Sequence, residues 1–117
     1  MFTIEKKNLA KYKKMAKEAE QVWMKYGALD YKECYGVDLD NKPMGGMPAP
    51  LSFKTLTKAK PTETVWFSYI TYKSKAHKKE VDKKVMAYFD KKYADKMDEP
   101  MPFDVSRMAR GGFAVLG

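Results

Sequence analysis

Cysteine and histidine are almost missing from this sequence, which contains one of each, Cys34 and His77. A single cysteine excludes an internal disulfide framework and fits a reducing compartment. Protein zinc sites are usually built from clusters of cysteine and histidine, and the sequence contains no such cluster. We therefore expect no disulfide, no metal and no cofactor.

A long apolar run is also missing. No stretch approaches the roughly 20 residues that a membrane-spanning helix needs, and residues 1–7 lack the apolar core of a signal peptide. A chain of 117 residues with 44% hydrophobic content has the size and composition of one globular domain. We expect a single domain over residues 1–117, located in the cytoplasm, with no membrane partner.

Arginine is scarce, although the formal net charge is +8. Of the 23 basic residues only Arg107 and Arg110 are arginines. Arginine is the usual residue for bidentate recognition of bases and phosphates, whereas lysine more often keeps a surface solvated. The composition argues against a specific nucleic-acid partner. Weak, lysine-mediated binding of a polyanion remains an alternative.

The segment over residues 64–73 is the one in which β-branched and aromatic side chains concentrate. Neither of its alternating faces is polar; they consist of Val65, Phe67, Tyr69 and Thr71 on one side and Trp66, Ser68, Ile70 and Tyr72 on the other. Such a composition is typical of a strand that is covered on both faces. We predict that this segment is the central strand of the sheet.

The remaining elements follow from periodicity and from capping residues. Apolar residues at helical spacing predict a helix between Asn8 and Gly27 and a second helix from Ser74 to about residue 92. Strands are predicted near residues 2–4, 28–37 and 108–116, a short helix within residues 51–60, and a polar connector over residues 95–102. The order predicts an α+β, ferredoxin-like βαββαβ fold, a four-stranded antiparallel sheet with both helices on one face.

In that topology the first and third strands are central, and two helices cover only one face of the sheet. The other face of residues 64–73 is apolar as well, and a chain of 117 residues has little left to cover it. We therefore expect the protein to be its own partner, as a homodimer that packs through the sheet face.

Several short motifs resemble those of the YbaA-like family of bacterial domains. They are Tyr26-Gly27-Ala28-Leu29, Glu33-Cys34, residues 63–70, Tyr72-Lys73-Ser74-Lys75, Met101-Pro102-Phe103-Asp104, Arg107-Met108 and Gly111-Gly112-Phe113. The resemblance extends over nearly the whole chain. It implies membership of the dimeric α+β barrel superfamily, in which two ferredoxin-like subunits pack sheet to sheet. It implies no catalytic residues.

The sequence departs from that family at two places. Family members usually have several more residues of first strand before the position of Phe2, and they commonly have proline at the position of Lys73. We expect the first strand to be short and to pair weakly with the last strand, and the sequence leaves open whether Met1 is the natural start. The presence of lysine at position 73 affects only the backbone that leads into the second helix.

Glu33 is the most informative single residue. It interrupts an apolar face that consists of Leu29, Tyr31, Tyr35 and Val37. A charge on such a face is costly unless it is paired or hydrogen-bonded. The functional hypothesis is a carboxylate in a pocket, acting as a general base or a ligand anchor. The structural alternatives are an ion pair with Arg107 or a lysine, or a position open to water.

The candidate pocket consists of Glu33, Trp66, Ser68 and Arg107. Cys34 faces away from Glu33 and has no basic neighbour in the sequence, which favours a packed residue over a nucleophilic thiolate.

Three classes of function stay open. We prefer a dimeric barrel that binds or transforms a small organic molecule without a metal. The alternatives are a non-catalytic ligand-sensing or structural dimer module, and the polyanion binder. The sequence specifies neither the ligand nor a reaction.

Overall fold

The computed structural model describes residues 1–96 and 101–116, which form an α+β fold. The strands and helices are β1 (Phe2–Glu5), α1 (Leu9–Lys25), β2 (Asp30–Tyr35), α2 (Phe53–Leu56), β3 (Glu63–Thr71) and α3 (Lys75–Lys92). Single 3₁₀ turns occur at Lys6–Asn8, Ala94–Lys96 and Val105–Arg107. Of the predicted connector, residues 97–100 lie outside the described residues. None of the helices in the described ranges combines the length and apolarity needed to cross a membrane.

β3 is the central strand of a three-stranded antiparallel sheet with the order β1-β3-β2. β1 pairs with the first half of β3, where Phe2 lies opposite Trp66. β2 pairs with the second half, from Tyr35 opposite Trp66 to Asp30 opposite Thr71. The predicted central strand is therefore confirmed, and β2 is shorter than the predicted strand over residues 28–37.

The fourth strand, predicted over residues 108–116, is not formed. This segment makes one step of strand-like pairing, in which the Ala109 N–H donates to the Met1 carbonyl at 2.9 Å and the Met1 amino group donates to the Ala109 carbonyl at 2.6 Å. β1 has only four residues and begins at Phe2, so it offers no ladder to the residues that follow Ala109. As a result β1 is an edge strand, and its predicted central position is wrong.

The two long helices begin and end close to the predicted residues. Asn8 precedes α1, although its side chain makes no capping hydrogen bond, and Gly27 follows the helix with a φ of +111°, a left-handed conformation that favours glycine. At α3 the Ser74 hydroxyl accepts a hydrogen bond from the His77 N–H at 3.1 Å. The short helix predicted within residues 51–60 is α2, which Ser52 caps in the same way.

Helices α1 and α3 cover one face of the sheet through two apolar clusters. One cluster contains Phe2, Ile4, Tyr12, Ala16 and Trp66, and the other contains Val22, Ala28, Val81 and Val85. On the opposite face Phe67 and Tyr69 are 44% and 39% exposed, and their ring centroids are 5.9 Å apart. We call this the helix-free face. The middle of the central strand is therefore apolar on both sides but packed by helices on only one.

Candidate functional site

Glu33 lies in the middle of β2 and points toward the helix-covered face of the sheet, opposite Ser68 of β3. Its carboxylate accepts two hydrogen bonds. The Tyr12 hydroxyl donates to Oε2 at 2.8 Å and the Tyr31 hydroxyl donates to Oε1 at 2.7 Å. A carboxylate offers about four lone-pair directions, so Glu33 can accept further hydrogen bonds from a bound molecule.

The two tyrosines reach Glu33 from different elements. Tyr31 precedes Glu33 by two residues, and residues two apart on a strand share one face. Tyr12 comes from the buried stripe of α1, where its ring packs edge-on against Trp66 with centroids 5.1 Å apart. Both tyrosine side chains are buried, so packing of their rings fixes the positions of their hydroxyl groups.

Both tyrosines act as neutral donors. Burial, together with the neighbouring Glu33 carboxylate, raises the pKa of Tyr12 and of Tyr31 well above the usual value for a phenol. Their hydroxyls therefore keep their protons at physiological pH. Among the residues that the structure describes, none of the ion pairs involves Glu33. Its carboxylate is held by hydroxyl groups and not by a cation.

An open groove of about 310 Å³ runs beside Glu33. Its lining consists of Lys13, Ala16, Lys17 and Glu20 of α1, together with Glu33 and Trp66 of the sheet. Trp66 and Ala16 are buried and form the apolar floor, and the Trp66 indole N–H donates to the Thr64 hydroxyl at 2.9 Å. The groove thus combines an aromatic floor, the Glu33 carboxylate in its wall, and exposed lysine and glutamate side chains of α1 at its rim.

The structure divides the four candidate residues between two places. Glu33 and Trp66 line the groove, and Ser68 lies directly opposite Glu33 in the strand register. Arg107 lies elsewhere, because it donates hydrogen bonds to Glu63 and Asp104 and not to Glu33.

Sequence reasoning missed the role of Tyr12 at this site. The available signal was its position on the inward stripe of α1, since a buried tyrosine hydroxyl usually finds a hydrogen-bond partner. Cys34, the single cysteine, is half-buried and follows Glu33 on β2, so its side chain points to the opposite face of the sheet.

A second open groove, of about 240 Å³, lies at the other end of β1 beside Arg107. Three of its four charged lining residues are already engaged with one another, since Arg107 binds both Glu63 and Asp104, and Glu5 is the fourth. The Arg107, Glu63 and Asp104 side chains therefore stabilise the chain.

Fold and site together define a small α+β protein. Its candidate site is a groove with the Trp66 ring in its floor, and the Glu33 carboxylate in its wall accepts hydrogen bonds from two tyrosines. The chain matches the family described as "Protein of unknown function (DUF1428)" over residues 1–105. It is 35% identical over 105 residues to "Uncharacterized protein YbaA" of Escherichia coli strain K12, a match that covers 90% of this chain and 82% of the relative. Proteins of the same description from Escherichia coli O157:H7 and Shigella flexneri show the same identity and coverage.

The chain therefore belongs to the DUF1428 family, and the resemblance to YbaA-like proteins is confirmed. The names of these relatives state no ligand and no reaction.

Proposed function

We propose that the protein binds a small organic molecule in the groove beside Glu33. The observation that supports this proposal is a carboxylate held by two neutral hydroxyls, without a cation among the described residues, at the wall of an open groove. A glutamate with a purely structural role on an apolar face is usually neutralised by a basic side chain. Glu33 instead keeps acceptor capacity on the side of the groove.

The groove lining indicates the chemical class of the ligand. Glu33 accepts hydrogen bonds, so the ligand should present a hydroxyl or an amino group. Trp66 offers an indole surface, which suits an apolar or aromatic body. We therefore propose a small molecule with a donor group on an apolar body, with Glu33 as the anchor of the donor.

Three small probes of similar shape test this assignment: benzyl alcohol, benzylamine and toluene. Toluene has the same aromatic ring but no donor group. The Trp66 indole N–H resonance, assigned with Trp66→Phe, should shift on addition of benzyl alcohol or benzylamine and much less with toluene. Glu33→Gln should weaken binding of the two donors by about tenfold, which corresponds to about 1.4 kcal/mol.

Glu80→Gln is the matched control, because Glu80 is an exposed residue of α3 that pairs with Lys84, and it does not line the groove. This variant should bind the probes as the wild type does. Equal binding of toluene and the two donors, or equal binding by Glu33→Gln and wild type, would overturn the proposal.

We also propose that the protein is a homodimer through the helix-free face, in the manner of a dimeric α+β barrel. The supporting observation is that Phe67 and Tyr69 remain half exposed in the middle of the central strand. The described order of strand, helix, strand, strand and helix is that of a ferredoxin-like subunit before its last strand, which supports the same proposal.

Sedimentation equilibrium at micromolar concentration tests the dimer. The wild type should sediment at twice the mass of the 13.5 kDa chain, and Phe67→Glu should weaken association because it places a charge on the apolar face. Val37→Glu is the control, since Val37 is 84% exposed and lies beyond the end of β2. A monomeric wild type, or equal effects of both substitutions, would contradict the proposal.

A further inference from the structure

Helix α1 contributes one rim of the groove of the candidate site. Four of its residues line this rim: Lys13, Ala16, Lys17 and Glu20. They are separated by three, one and three positions in the sequence, a spacing that places all of them on one face of a helix. Ala16 is buried, so this face borders the sheet. The three charged residues therefore form one row along the groove.

The charges of this row are not paired with one another. Among the residues that the structure describes, no ion pair includes Lys13, Lys17 or Glu20. Residues three or four apart on a helix are neighbours, and on α3 such a pair forms between Lys78 and Asp82. Lys17 and Glu20 have the same kind of spacing but do not pair. Their charges are consequently available to a ligand.

The two signs of charge are separated along the rim. The lysines come first, and Glu20 lies about 4.5 Å beyond Lys17 along the helix axis, since an α-helix rises about 1.5 Å per residue. Glu20 also lies close to Tyr31, because its charge, after burial and the Glu33 carboxylate, helps to raise the pKa of that phenol. The Tyr31 hydroxyl donates to Glu33. Carboxylates therefore concentrate toward one end of the groove and lysines toward the other.

We infer that the ligand carries both charges: it is a free amino acid, or a close analogue, with an apolar or aromatic side chain. This assignment rests on the binding proposed above and specifies the charged groups of the ligand. The ammonium group of the ligand binds the carboxylates of Glu33 and Glu20. Its carboxylate binds the ammonium groups of Lys13 and Lys17, and its side chain packs on Trp66.

The size of the groove fits a single amino acid. Its volume of about 310 Å³ is at the lower end of the range of about 300 to 1,000 Å³ that is usual for ligand sites. The two charged groups of an α-amino acid are attached to the same carbon atom. Their separation is comparable to the rise along the helix between Lys17 and Glu20, so one small molecule reaches both signs of charge.

The two lysines distinguish this ligand from a simple amine. Lys13 and Lys17 are four residues apart, and like charges at this spacing repel each other on a helix. A ligand carboxylate between them relieves the repulsion. A ligand that has only an amino group would instead add a positive charge to a chain that already carries +8.

Three ligands that share a phenyl ring and two chain carbons test the assignment: phenylalanine, phenethylamine and hydrocinnamate. Phenethylamine lacks the carboxylate, and hydrocinnamate lacks the amino group. Binding is followed through the Trp66 indole N–H resonance. Phenylalanine should bind about threefold more tightly than either of the other two, which is the gain expected from one additional exposed ion pair.

Replacement of both lysines should abolish this preference. A variant that combines Lys13→Gln and Lys17→Gln should bind phenylalanine no more tightly than phenethylamine, and its affinity for phenethylamine should not fall. The matched control combines Lys11→Gln and Lys14→Gln, because these exposed lysines of α1 do not line the groove. It lowers the net charge by the same amount and should keep the preference for phenylalanine. Equal effects of the two double variants would assign the preference to overall charge and would overturn the assignment.

Glu33→Gln separates this assignment from the proposed function. It should weaken binding of phenylalanine and phenethylamine but not of hydrocinnamate. If phenethylamine binding depends on Glu33 while phenylalanine binds no more tightly than phenethylamine, the ligand is an amine and not an amino acid. The groove then remains a binding site, but the assignment of an amino acid is wrong. Absence of binding by all three ligands would also overturn it, and benzyl alcohol and benzylamine would then decide separately whether the proposed function stands.

Discussion

The guanidinium group of Arg107 binds the carboxylate of Glu63 through two parallel hydrogen bonds, of 2.9 Å from Nη1 to Oε1 and 2.6 Å from Nη2 to Oε2. The same carboxylate accepts from the Thr3 hydroxyl at 3.0 Å and from the Lys60 N–H at 2.7 Å. The Glu63 side chain is only 3% exposed. Arg107 thereby links the turn at Val105–Arg107 to the start of β3 and, through Thr3, to β1.

Replacement of Arg107 should destabilise the fold strongly. Arg107→Ala leaves the buried Glu63 carboxylate without its cation, and breaking a pair of this kind costs about 3 kcal/mol or more. Arg110→Ala is the matched control, because Arg110 is exposed, and it should change stability by no more than about 0.5 kcal/mol. Urea unfolding measures both. Equal losses for the two variants would show that the ion pair contributes little.

The Glu63 site should make the protein sensitive to acid. The hydrogen bonds from Arg107 lower the pKa of Glu63 from 4.5 to about 2. Because the folded-state pKa lies below the unfolded one, the stabilisation is complete above about pH 4.5 and is lost as the pH falls toward 2. The shift corresponds to a loss on the order of 3 kcal/mol.

Comparison of the wild type with Glu63→Gln isolates this contribution from the other carboxylates. The difference in unfolding free energy between the two proteins should shrink as the pH is lowered from 5 to about 2.5. A difference that stays constant over this range would contradict the lowered pKa of Glu63.

The tyrosine hydroxyls at Glu33 should each contribute to stability. Tyr12→Phe and Tyr31→Phe each remove one donor from the carboxylate, and we expect each to lower the free energy of unfolding by about 1 to 2 kcal/mol. The double variant should lose more than the sum, because the carboxylate then has neither donor. Tyr69→Phe on the helix-free face is the control and should be nearly neutral. Strict additivity would show that the two hydroxyls act independently.

The elements with strong local signals could be predicted from the sequence. Helix α3 follows from Ser74 and from the apolar stripe that contains Val81 and Val85, and β3 follows from its β-branched and aromatic residues. The strand over residues 108–116 could not be decided in this way, because a strand forms only where a partner strand continues. β1 provides Met1 for Ala109 and nothing beyond it.

The site was predicted in part for a similar reason. Strand alternation placed Glu33 among aromatic residues on the inward face, as the structure shows. Which group satisfies its carboxylate depends on contacts between distant parts of the chain. Tyr12 comes from a helix 21 residues earlier, and Arg107, the predicted alternative partner, binds Glu63 at a separation of 44 residues.

The last prediction concerns residues 67–71 of β3, the part of the strand that β1 does not reach. Addition of about five strand-forming residues before Met1 should extend β1 alongside Ser68 and Ile70. Each new ladder hydrogen bond contributes roughly 1 kcal/mol net, so thermal stability should rise by several degrees. An extension of equal length made of glycine and serine, which form strands poorly, should not raise the melting temperature. If the strand-forming extension melts at or below the temperature of the original chain, residues 67–71 do not accept a strand from this side.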